Sequence, residues 1–165
     1  MTEDSPELSA APGGGPDARA DRSAAAGVAA ARAMWAADSA SAGLGMELVS
    51  LATGHAVVRM PVTAAMVNGH LIAHGGFVFA LADSAFALAC NSHGPVTVAA
   101  GCDITFVAPV RQGDVLVADA VERARFGRSG LTDVSVRVEG SGELVAELRG
   151  RSRTIGSTAS AAPVV

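Results

Sequence analysis

The chain has 165 residues, half of them apolar and 17% charged, with a net charge of −4. Such a length accommodates one domain with a substantial core. The charged fraction lies below the usual quarter, which predicts an oligomer that hides part of its surface. No basic excess points to nucleic acid or to an anionic membrane as partner.

Residues 1–24 are rich in Ala, Gly, Pro, Ser and Asp and are predicted to form a disordered tail. They begin acidic and lack an apolar h-region, which argues against a secretory signal. No apolar run reaches the roughly 20 residues of a membrane span. The longest carries Asp83 at its centre. Cys90 and Cys102 both sit in apolar settings and read as buried free thiols of a cytoplasmic protein.

The domain is expected over 25–156. Ala24 to about Ala40 is Ala-dominated and helix-prone, with Trp35 as its anchor. "MELVSLAT", a turn at Gly54 and "HAVVRMPV" read as a hairpin. Thr63 to Ala73 is irregular, with a turn at Asn68-Gly69. His74 to about Asn91 reads as a helix, opened by "HGG" and closed by "NSHGP". Four strands follow: "VTVAAGCDITFVAP", "DVLVADAVERARF", "LTDVSVRVE" and "ELVAELRGRSRTI". In "DVSVRV" the alternation marks a half-buried antiparallel strand. From Ser157 the chain reads as a loose tail. The sum is an α+β domain, about six antiparallel strands wrapped around one long helix that is apolar nearly all round.

Within that helix stands Asp83, in "FVFALADSAFALAC", with no basic residue within two turns. Burying a carboxylate is costly. It is either structural, bonded to a neighbouring strand or to Ser84, or chemical. Gly75, at the helix start, offers an unpaired N–H and close approach, or else a tight turn with Gly76. Asn68 can be a turn cap with Gly69 or a positioning side chain. His74 reads as a hydrogen-bonding scaffold residue. His55, His70 and His93 read as loop residues, and no pair of histidines has zinc-ligand spacing with a third ligand. Arg125 and Arg128 flank the "FGRSG" turn. Arg149, Arg151 and Arg153 alternate and so share a face, either a solvated face guarding an edge strand or a phosphate site.

"NGHLIAHGG" followed by "FALADSAFALACNSHG", then "VAAGCDITFVAPVRQGDVLVADA", "FGRSG" and "RGRSRTIG", resembles the PaaI-like hotdog-fold acyl-CoA thioesterases over roughly Met46 to Gly156. The resemblance implies hydrolysis of acyl-CoA thioesters without metal or cofactor, on aryl-acetyl groups such as phenylacetyl or hydroxyphenylacetyl, in phenylacetate degradation. It makes Asp83 the catalytic carboxylate and Gly75 the N–H that polarises the carbonyl. Asn68 and His74 become the accompanying positioning residues. The polyanionic coenzyme would meet Arg125, Gly127, Arg128, Ser129, Gly130, Arg151 and Arg153. Phe106 would line the acyl or pantetheine tunnel, unless it is ordinary core.

Two alternatives compete. A hotdog hydratase or dehydratase would use His70, thirteen residues before Asp83, but the Pro-rich loop of those enzymes is absent. A non-catalytic acyl-CoA-binding protein gains nothing obvious from Asp83. On one straight helix Gly75 and Asp83 would be about 12 Å apart, whereas a reacting carbonyl needs both within roughly 3 Å. Two antiparallel helices in a two-fold dimer can bring them together. The resemblance implies the same dimer, often paired again into a tetramer.

Overall fold

The computed structural model, which describes residues 18–156, has six antiparallel strands, of which His55–Pro61 and Ser129–Val138 alternate buried and less buried side chains along most of their length. The expected tails over 1–17 and from Ser157 onward lie outside the described residues. The strands are β1 (Glu47–Ala52), β2 (His55–Pro61), β3 (Thr97–Phe106), β4 (Val115–Phe126), β5 (Ser129–Val138) and β6 (Leu144–Thr154). They form one sheet in the order β1-β2-β4-β5-β6-β3. The β1–β2 hairpin turns at Gly54, whose φ of 71° is open to glycine at little cost. Between β2 and the long helix, a 3₁₀ turn over Ala64–Met66 leads into the Asn68-Gly69 turn.

The helices are α1 (Ala18–Ala36), α2 (Ser39–Gly43) and α3 (Gly75–Asn91). Helix α1 begins at Ala18, so residues 18–24, assigned above to the tail, are helical here. It stops at Ala36 because Asp38 adopts an extended conformation (φ −82°, ψ 94°) and caps α2 through Ala40 and Ser41 N–H. The single helix expected to about Ala40 is therefore two. Trp35 packs on the core as expected, and Ala31 is buried.

The sheet wraps α3. Its Val78, Leu81, Ala82, Ala85, Phe86, Leu88 and Ala89 are buried, facing Val58, Leu116, Val134, Val136 and Leu148 of the strands. Gly150 is required because a Cβ there would lie 2.6 Å from the Phe86 ring. The sheet, however, leaves one stripe of α3 open. Gly76, Phe79, Ala80, Asp83 and Ala87 are all partly or fully exposed, at spacings of three and four residues that define one helix face. Beside that stripe runs β3, an edge strand. Its inward-facing Phe106 is half exposed (52%). No described helix is long and apolar enough to cross a membrane.

Candidate active site

The first turn of α3 is fixed before any ligand arrives. His74 N–H donates to Met66 O at 2.8 Å, and Ala73 N–H to Val110 O at 2.8 Å. His74 is the N-cap, its Nδ1 accepting from Gly76 N–H at 3.0 Å. The proton of a neutral His74 ring therefore sits on Nε2. Phe77 N–H is bonded to His74 O at 2.9 Å. Gly75 N–H is left with no acceptor among the described residues. It stands at the positive end of the helix dipole, and it borders a cavity of about 310 Å³ that Asn68, Ile72, Val78, Phe106 and Val145 also line.

The same cavity holds three of the predicted site residues, Asn68, Gly75 and Phe106. Phe106 is not ordinary core: a Cβ on Gly75 would lie 2.9 Å from its ring, so only glycine leaves the ring in place over the helix start. The Asn68 side-chain Oδ1 accepts from His70 N–H at 2.8 Å, and Asn68 backbone N–H donates to Ile72 O at 2.8 Å. The Asn68 amide NH₂ is thus its group available to the cavity. In this turn Leu71 carries a left-handed φ of 61°, a conformation uncommon outside glycine.

Asp83 is bonded neither to a strand backbone nor to Ser84, which instead pairs with Ser41 (Oγ to Oγ, 2.9 Å). Its one hydrogen-bond contact among the described residues is the Cys102 thiol, 4.0 Å from Oδ1. Burial with no compensating cation raises its pKa above the ordinary carboxylate value. Burial, and then the charge of Asp83, also raise that of Cys102. Cys102 is consequently not the fully buried thiol read from sequence, whereas Cys90 is buried and its pKa is pushed up to about 12. The period-2 pattern of "CDITF", which puts Cys102, Ile104 and Phe106 on one face, was the signal that could have placed Cys102 beside the helix.

The basic residues lie elsewhere. Along β6, Ala146 pairs with Phe106 and Arg153 with Val98. Seven residues at about 3.3 Å each put the two ends roughly 23 Å apart. Arg125, Gly127, Arg128, Ser129, Gly130 and Arg153 cluster at the far end, by the β4–β5 turn and the end of β6. Arg151 lies between, its guanidinium over Gly101, next to Cys102, and paired with Asp103. Arg128 donates twice to Thr154 O, at 3.0 and 2.8 Å, and Arg125 lies 3.8 Å from Glu122. Arg149 is held by Asp133 at 2.7 Å. The row guards no edge strand, because β6 lies inside the sheet between β5 and β3, but Arg149, Arg151 and Arg153 are all exposed, as a solvated face requires. Of the other histidines, His55 opens β2 rather than a loop and bonds Asp119, His93 bonds Glu122, and His70 is exposed in its turn.

A free helix-start N–H and a carboxylate thus lie on the same central helix. Residues 70–145 match the thioesterase superfamily, and the chain belongs to that superfamily of enzymes. The acyl-coenzyme A thioesterase PaaI of Escherichia coli (strain K12) is 44% identical over 128 residues, covering 78% of this chain and 91% of that protein. The solved structure of E. coli PaaI, from the phenylacetic acid degradation operon, matches with a TM-score of 0.79 over 82% of this chain and 97% of that one, at 41% identity. A variant of the phenylacetic acid degradation protein PaaI from Thermus thermophilus matches at 41% identity and a TM-score of 0.68, covering 72% and 100%. A Streptococcus mutans UA159 protein solved with acetyl CoA matches at 25% identity and a TM-score of 0.66, covering 69% and 91%.

Proposed function

We propose that the chain hydrolyses acyl-CoA thioesters, with aryl-acetyl groups such as phenylacetyl and hydroxyphenylacetyl preferred, at two equivalent sites shared across a two-fold dimer. One observation carries the reading. Gly75 offers a free N–H, and Asp83 lies eight residues further along α3 on the open stripe, about 12 Å away along the axis. Neither completes a site alone, and an antiparallel second copy of α3 supplies to each what it lacks. The named activity of the E. coli relative and its phenylacetic acid operon support the substrate class.

In this mechanism the thioester carbonyl oxygen accepts from Gly75 N–H, and the helix dipole stabilises the developing oxyanion. Asp83 of the partner subunit either attacks the carbonyl carbon, giving a mixed anhydride that water then opens, or removes a proton from water as it attacks. Both routes use the ionised carboxylate and end in free acid and CoA thiol. His74 holds the first turn through Gly76, and the Asn68 NH₂ orients substrate or water. The cluster of Arg125, Arg128 and Arg153 lies about 23 Å from the Phe106 end of its own chain. It therefore serves the site whose Gly75 comes from the other protomer. There it meets the coenzyme phosphates, with Arg151 beside it on the outer face of β6.

The test is a panel of acyl-CoA esters with free-thiol detection. Phenylacetyl-CoA or its hydroxy derivative should show the highest kcat/KM, and Asp83→Asn should lower kcat by about 10²–10⁴-fold. No thiol release from any aromatic or short-to-medium acyl-CoA would refute the proposal.

A further inference from the structure

A carbonyl held on Gly75 N–H sends its two substituents, the acyl group and the sulfur arm, in roughly opposite directions. The first turn of α3 is flanked by two cavities. One is the 310 Å³ space under Asn68 and Phe106. The other, about 470 Å³, lies on the opposite side, lined by Leu44, His74, Gly76, Phe77 and Ala80. Gly76 and Ala80 belong to the same helix stripe as Asp83, so this second cavity opens on the face where the carboxylate works.

We infer that the second cavity takes the acyl group and that Leu44 sets the size of group accepted; this rests on the thioesterase reading above. The sulfur arm of a CoA ester carries amides, and burying them unpaired is costly. They suit the cavity that Asn68 lines. Each cavity has one polar side chain: Asn68 presents its NH₂ to the first, and in the second His74 keeps Nδ1 on Gly76 and has only its Nε2 edge left beside Leu44, Phe77 and Ala80, walls fit for an aromatic or aliphatic group. Leu44 and Phe77 also line a further hollow of about 370 Å³ with Pro61 and Met66. These two side chains therefore form the partition between the two spaces. The partition is held rigidly. Leu44 N–H bonds back to Ala40 O and Ser41 O. Ser41 Oγ donates to Asp38 at 2.6 Å, and the Ser41–Ser84 bond ties α2 to α3 one residue from Asp83.

Two substitutions test this in opposite directions. Leu44→Ala opens the cavity into its neighbour, and the kcat/KM ratio of decanoyl-CoA to phenylacetyl-CoA should rise about tenfold or more. Leu44→Phe fills it, and the ratio of phenylacetyl-CoA to acetyl-CoA should fall by a similar factor. Each ratio is taken within one preparation, so any loss of folded enzyme cancels. Phe106→Ala, on the sulfur-arm side, should change all three esters by a common factor. If wild type releases thiol but the Leu44 ratios stay within twofold of wild type, or if Phe106→Ala moves the ratios instead, the assignment of the acyl pocket is wrong while the thioesterase reading stands. If wild type releases no thiol from these three or from any other ester of the panel above, both fall.

Discussion

Among the described residues no cation faces the Asp83 carboxylate, and burial raises its pKa above 3.8. The native state thus binds this proton more tightly than the unfolded chain does. By linkage, the contribution of Asp83 to stability is greatest below the ordinary carboxylate pKa and is lost as pH rises through the raised one. Catalysis has the opposite sign, since attack or proton removal needs the ionised form. Two outcomes follow from the same shift. The acid limb of kcat/KM against pH should have its midpoint above 3.8, measured with phenylacetyl-CoA. Asp83→Asn, neutral at every pH, should melt at a higher temperature than wild type at about pH 8, and the gap should close towards about pH 4. Equal melting temperatures across that range would mean that the carboxylate is compensated by a partner. Its role would then be structural.

At the scale of elements, α1 shows how one close contact can reverse a propensity. Glycine inside a helix costs roughly 0.5–1 kcal/mol relative to alanine, so Gly27→Ala would stabilise an isolated α1. Here a Cβ on Gly27 would run into Ser92 O and lie 2.8 Å from the His93 carbonyl carbon. Those are backbone atoms at the end of α3 and cannot swing aside, and overpacking of this kind costs about 1–3 kcal/mol. The net expectation for Gly27→Ala is a loss of roughly 1–2 kcal/mol in urea unfolding. Gly43→Ala, where a Cβ meets nothing within 4 Å, should lose none. A stabilised Gly27→Ala would mean that α1 does not seat on α3. The strands were legible from glycine and proline turns and, in β5, from the alternation of "DVSVRV" over Asp133–Val138, and α3 was legible from its apolar length between "HGG" and "NSHGP". The ends of α1 and the existence of α2 were not. An Ala-rich run has no periodic edge, and five residues capped by Asp38 are too few to show one.

Across the whole molecule, sequence could name the parts of the site but not their distances. Asn68, His74, Gly75 and Phe106 do come together, because the turn before α3 and the end of β3 meet at one end of the sheet. The separation of the Arg153 end from Phe106 appears only with the β3–β6 register, which no local pattern encodes. That separation and the spacing of Gly75 from Asp83 make the same demand, a second copy of the chain. A mixing experiment decides it. Asp83→Asn removes the carboxylate from one chain. Gly75→Pro removes the N–H from the other. Proline is tolerated at the first helical position, and His74, at φ −66° and ψ 129°, already has the extended conformation required before proline. The ring should only displace Phe106, whose half-exposed side chain can move. Each homodimer should be nearly inactive. A purified mixed dimer pairs Gly75 of the first chain with Asp83 of the second, and so contains one intact site and one doubly defective site. It should recover about half of the wild-type kcat per dimer, as two independent and equivalent sites require. Mixed dimers that fold like wild type yet stay as inactive as their parents would show that each site is built within one chain. α3 would then have to bend far enough to close its own 12 Å gap, an estimate of roughly eight residues of helical rise.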